Sequence, residues 1–149
     1  DSVEGARGLP PMRRIDQLGG FTEHCVRARR GQQKFRRDLL EKFNNKCAFT
    51  GLQPEQALEA AHLYSYAEVG VHHEHGGLLL RRDLHALFDG GRIGVDPDTD
   101  KIWVRADLDL FTHYKALRGE QVKVPLTEKS RGWLRYHRDQ NQPPSSSAR

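Results

Sequence analysis

The chain has 149 residues, 36% hydrophobic and 30% charged, and Lys plus Arg exceed Asp plus Glu by 24 to 20, a net charge of +4. That length suits one domain able to bury a core without staples, and the content of Leu, Phe, Val and Ile is too high for wholesale disorder. Two cysteines without a C-x-x-C pair exclude a disulfide framework and argue against a structural zinc knuckle; no apolar run reaches the ~18 residues of a membrane span, and no signal-peptide core opens the chain. These features predict a reduced, cytoplasmic protein with no membrane partner. The start at Asp1 rather than Met is read as a piece of a longer protein.

Residues 1–20 (DSVEGARGLPPMRRIDQLGG) carry paired prolines and no sustained period, and read as an irregular arm or linker. A helix is compatible with residues 21–29. Between Gln32 and Phe43 the signal is stronger: Phe35, Leu39, Leu40 and Phe43 form one apolar stripe, with Arg36, Arg37, Glu41 and Lys42 outward. From Arg27 to Lys46 the run RARRGQQKFRRDLLEKFNNK sets many Arg and Lys against only Asp38 and Glu41. A phosphate-binding face and a solvated helix surface both remain open for it; arginine suits bidentate phosphate contact.

After NNKCAFTG, an Asn-rich exit with Cys47 as a small core residue, PEQALEAAH predicts a helical turn at Pro54 passing into a strand over 60–63. A polar loop follows, holding His72, His73 and His75. Leu78, Leu79 and Leu80 read as a buried strand, and Asp83 as the N-cap of a short helix that Gly90 and Gly91 end. RIGVDPDTDKIWV predicts a β-hairpin, LDLFTHYKALRG a helix stopped at Gly119, QVKVPL a short strand at an edge, and EKSRGWLRYHRDQ a final helix. Trp103 and Trp133 read as packing residues. The expected domain spans 21–140, and residues 141–149 read as a disordered tail.

The chemistry concentrates in residues 59–91, which hold five of the eight histidines. His62 ends a strand. His85 and Asp89, four residues apart on a helix, stack on one face where they can share a divalent cation. A histidine can activate water as a general base near neutral pH, and a cation can stabilise charge on a phosphate and its leaving oxygen. Base, cation and phosphate together describe a nuclease. The dull alternatives are a satisfied core histidine for His85, a helix-end cap for Asp89 and exposed loop for His72, His73 and His75.

The order EAAH (His62), GGLLLRRDLH (His85) and FDGG (Asp89), preceded by RRGQQKFRRDLLEKFNNKCAFTG, resembles the HNH endonucleases, specifically a subgroup reading E-A-A-H, N-G-L-L-L, D-L-H, F-D-x-G that occurs in modification-dependent restriction enzymes. The likeness covers about residues 29–95 and extends more loosely to His137. It implies an α+β fold with a ββα-metal core, flanking helices and a C-terminal β-hairpin. By the same likeness, His62 is the general base and His85 a catalytic metal-binding histidine. Asp89 is the second ligand, whose hard oxygen suits Mg²⁺, with Mn²⁺, Zn²⁺ or Ni²⁺ as alternatives. The implied substrate is DNA, held through its backbone by Arg29, Arg30, Arg36, Arg37, Arg81 and Arg82; a joined DNA-reading domain and a homodimer are further implications. Two positions depart from the pattern. The residue before the base, a metal ligand in many HNH enzymes, is Ala61, and the central asparagine is replaced by Gly76, with His75, His73 and His72 nearby as substitutes. A catalytically degenerate nucleic-acid-binding module is the rival reading, and a zinc-stabilised interaction domain the weakest.

Overall fold

The computed structural model describes residues 12–64 and 75–142 of the chain. It divides into two compact units, residues 1–34 and 35–149. Helix α1, Met12–Phe43, runs without interruption from the first range into the second. Residues 12–20, irregular by sequence, are therefore helical, and the two separate helical stretches expected before Phe43 are one. Gly19, Gly20 and Gly31 cost a helix roughly 0.5–1 kcal/mol each relative to Ala, which weakens a helix without breaking it. In the first unit, Arg27, Arg29 and Arg30 are exposed.

In the second unit α1 supplies Phe35, Leu39 and Phe43 to the core, the stripe that the i, i+4, i+8 spacing predicts. The helix stops because Asn44 and Asn45 adopt left-handed backbone (φ 53° and 59°), which Asn tolerates, and the Asn45 N–H turns back to the Leu40 carbonyl at 3.1 Å. A two-residue hairpin follows, β1 (Lys46–Cys47) with β2 (Gly51–Leu52). Cys47 is fully buried, and its sulfur accepts the N–H groups of Phe49 and Arg81, both at 3.4 Å.

A 3₁₀ turn at Glu55–Ala57 leads into β3 (Leu58–His62), which pairs antiparallel with β4 (Gly77–Arg81) in the register Leu58↔Arg81 to His62↔Gly77. All of β4 except Arg81 is buried, so it reads as a continuous apolar run. Gly77 is required there by close approach: a Cβ would come within 2.5 Å of Phe35 Cζ and 2.7 Å of Leu39 Cδ1. Helix α2 (Arg82–Asp89) starts directly at the end of β4 and buries Leu84 and Phe88 against β3, β4 and the next strand. Fully burying two such side chains stabilises by about 1.5–3 kcal/mol each. Asp83 is not its N-cap; Arg81 holds that position. The Asp83 carboxylate instead accepts a bidentate pair from Arg81 (2.7 and 2.9 Å) and the Tyr114 hydroxyl (2.7 Å).

The predicted hairpin is β5 (Ile93–Asp96) with β6 (Lys101–Val104). It lies after β3, β4 and α2 but is not the end of the chain. The helix expected over 108–119 is reduced to a 3₁₀ turn at Ala106–Leu108 and the single turn α3 (Thr112–Lys115). Leu110 is 90% exposed and Phe111 53%, so the apolar residues here do not form a buried stripe long enough to hold a helix. The expected strand at 121–126 makes one bridge, Lys101↔Gln121, then leaves β6 to donate from Lys123 N to the Ala48 carbonyl. Helix α4 (Glu128–Asn141) is capped by Thr127, whose hydroxyl accepts the Ser130 N–H at 3.1 Å, and it packs on β5. Its Arg131, Arg135 and Arg138 pair with Asp100, Asp98 and Asp96 of the hairpin turn. Leu58, Leu78, Leu79, Leu80, Leu84, Ile93, Val95 and Leu134 form the centre of the core. Helices and small antiparallel sheets thus share the second unit, an α+β arrangement. Among the described residues no helix is long and apolar enough to cross a membrane.

Candidate functional site

Strand β3 and helix α2 place the sequence-predicted residues by simple geometry. His62 is the last residue of β3, half-exposed, with its ring stacked on Phe35 (centroids 4.2 Å apart, planes 7° apart) and the edge of Tyr64 at 5.4 Å. Stacking fixes the plane of the imidazole while its nitrogens stay at the ring edge.

His85 lies on α2 one position beyond the buried Leu84, and its two nitrogens meet two carboxylates. Nδ1 lies 2.7 Å from Glu59 Oε1, and Nε2 lies 3.2 Å from Asp89 Oδ2. The Asp89 carboxylate, with Glu59 behind it, outweighs the cost of burial and raises the His85 pKa to about 8. The ring is therefore an imidazolium clamped between two acids at neutral pH. Asp89 is 62% exposed, and Glu59 also meets Arg82 at 3.5 Å. Glu59 opens the EAAH motif, but nothing in local spacing marks its role, because its histidine partner is twenty-six residues away in the chain. Only the β3–α2 packing reveals it.

The arrangement brings His62 and Asp89 to one cleft of about 430 Å³, whose other walls are Leu63, Tyr64 and Phe88 and a face of α4. Among the described residues no group of three or more His, Cys, Asp or Glu is arranged to hold a metal. The reason is visible: Glu59 and Asp89 sit at opposite nitrogens of His85, so they do not converge on one point. What remains suitable for a divalent cation is Nε2 of His85 with the Asp89 carboxylate, Nδ1–H being held by Glu59. Metal-binding histidines commonly present this arrangement, donating the other ring nitrogen to a carboxylate. Two donors fit a cation such as Mg²⁺ that keeps several waters and takes the rest of its shell from phosphate.

At the departing positions, Ala61 is buried and offers no donor. Gly76 is buried and contributes its carbonyl, which accepts the Leu63 N–H at 2.9 Å. The His75 carbonyl accepts from Ser130 Oγ at 2.6 Å. His72 and His73 lie outside the described residues. Of the six arginines, Arg29, Arg30, Arg37 and Arg82 are exposed. Arg36 donates to the Leu58 and Glu55 carbonyls, and Arg81 to Asp83, so both brace the entry to β3 and α2. Trp103 is buried and Trp133 packs against the core, both as expected; Trp133 is half-buried and also lines the cleft.

Residues 47–96, from the second residue of β1 to the end of β5, match a family model described as HNH endonuclease. No curated protein matches the chain.

Proposed function

We infer from the match over residues 47–96 that the chain acts as a nuclease on nucleic acid. We propose that it is a divalent-metal-dependent DNA endonuclease whose general base is His62 and whose cation ligands are His85 and Asp89, built on a ββα-metal core of β3, β4 and α2. The observation that supports this most directly is that His62 and Asp89 border the same cleft while Asp89 reaches His85 at 3.2 Å.

His62 accepts a proton from the attacking water, its ring held in plane by Phe35. Glu59 holds Nδ1–H of His85, which directs Nε2 toward Asp89. His85 and Asp89 would hold a divalent cation, which would supply electrostatic stabilisation of the phosphate and the departing oxygen. The imidazolium of His85 must give up its proton for Nε2 to act as a ligand. Arg29, Arg30, Arg37 and Arg82 are the candidate backbone contacts, a sequence-independent mode of binding that leaves specificity to a joined DNA-reading domain, as in restriction enzymes. Cutting both strands together would call for two such sites, in keeping with a homodimer.

A second reading, a catalytically degenerate nucleic-acid-binding module, is favoured by Ala61 and Gly76, neither of which offers a side-chain donor. Plasmid incubated with the protein in Mg²⁺ or Mn²⁺ separates the two. Nicking that is abolished in His62→Ala supports the nuclease, whereas a gel shift with no nicking under either metal supports the module.

A further inference from the structure

Helix α4 lies outside the matched residues 47–96, yet it builds one wall of the cleft beside His62 and Asp89. Trp133, Tyr136, His137 and Gln140 follow one another at i, i+3, i+4 and i+7, and so line a single helical face. Two of these rings are explained by packing. Trp133 meets Tyr64 at 5.1 Å between centroids, and His137 stacks on Phe88 at 4.0 Å and lies 2.8 Å from the Phe88 carbonyl through Nε2. Burial lowers the His137 pKa, so its ring is an uncharged part of the wall. Tyr136 is not explained by packing. It is 66% exposed, a large ring turned to water at the rim of a cleft. Gln140, exposed on the same face, offers an amide donor and acceptor together.

We propose that this cleft receives one unpaired nucleobase of the substrate strand, stacked on Tyr136 and met at its edge by Gln140. The proposal deepens the nuclease reading and rests on it for the position of the phosphate, at the His62 and Asp89 end. The volume, about 430 Å³, falls in the range of small-ligand sites and admits one base. Aromatic rings stack any base face, while an amide reads base edges. Lys129, whose Nζ is 5.7 Å from the Trp133 ring centre, brings a cation to the rim for the adjoining phosphate. The substrate class this selects is single-stranded or locally opened DNA.

Equilibrium binding in EDTA, where no metal-dependent cleavage occurs, tests it with a short oligothymidylate, the same oligonucleotide carrying abasic residues, and a blunt duplex. The expected result is quenching of tryptophan emission by the oligothymidylate and not by its abasic form. Tyr136→Ala should weaken oligothymidylate binding about 5- to 150-fold, the range for loss of one stacked base. Tyr136→Phe should restore it, and duplex binding should change less than twofold in either variant. Equal losses for single strand and duplex, or no loss in a Tyr136→Ala protein with wild-type circular dichroism, overturn the proposal. The outcome is separable from the nuclease reading. A chain that never nicks plasmid but shows the Tyr136 pattern keeps the subsite, and one that nicks while Tyr136→Ala binds oligothymidylate normally loses it.

Discussion

Removing the proton from His85 should destabilise the metal-free protein, by an amount the geometry sets. The ring is held by Asp89 at 3.2 Å and Glu59 at 2.7 Å, its side chain is only 22% exposed, and its pKa is raised from 6.5 to about 8. Because the folded state holds this proton more tightly than the unfolded chain does, the stabilisation is complete below pH 6.5 and disappears as pH rises through about 8. The gap corresponds to about 2 kcal/mol. Urea denaturation in EDTA across this window should show that loss in wild type. Asp89→Asn should shrink it most, since Asp89 is the larger cause, and Glu59→Gln should shrink it by less. His85→Asn should abolish it. A His85→Asn curve parallel to wild type would falsify the clamp. The same competition predicts that Mn²⁺ affinity, read by calorimetry, increases with pH over the same window, because the ion and the proton contend for Nε2.

Gly77→Ala should cost about 1–3 kcal/mol, the typical penalty of overpacking, because its Cβ would intrude on Phe35 and Leu39. A thermal melt reads the loss, and Gly77→Ala combined with Phe35→Leu should lose less than the sum of the singles; strict additivity would show that the two do not touch. For DNA binding, replacing Arg29, Arg30 and Arg37 together by Gln should reduce the slope of log K against log salt by about 0.9 for each phosphate no longer neutralised. An unchanged slope would mean that the basic run of α1 is only a solvated surface.

Much of the candidate site was legible because its cues are local. The four-residue spacing of His85 and Asp89, the apolar runs of β3 and β4 and the glycines after Phe88 each act within one or two turns of chain, where periodicity and backbone preference decide structure. The helical stretch 32–43 and the hairpin of β5 and β6 were readable for the same reason. The failures fall where neighbours distant in sequence decide. Asp83 has the sequence signature of a cap, but Arg81 and Tyr114 claim its carboxylate. The segment 121–126 alternates like a strand, yet Ala48 takes the Lys123 N–H and draws the chain off β6.

By itself the sequence determined which side chains stand next to one another along an element: the stripe of α1, the His85 and Asp89 pair, and the string of cues from Glu59 to Gly91. Tertiary structure alone decided which elements face one another, and therefore that Glu59 holds the far side of His85, that Arg36 and Arg81 turn inward, and that a face of α4 closes the space beside His62. The physical reason is range. Backbone preference and i, i+4 contacts are settled within a few residues, whereas a carboxylate raising an imidazole pKa or a helix walling a cleft acts through space between segments the chain keeps far apart.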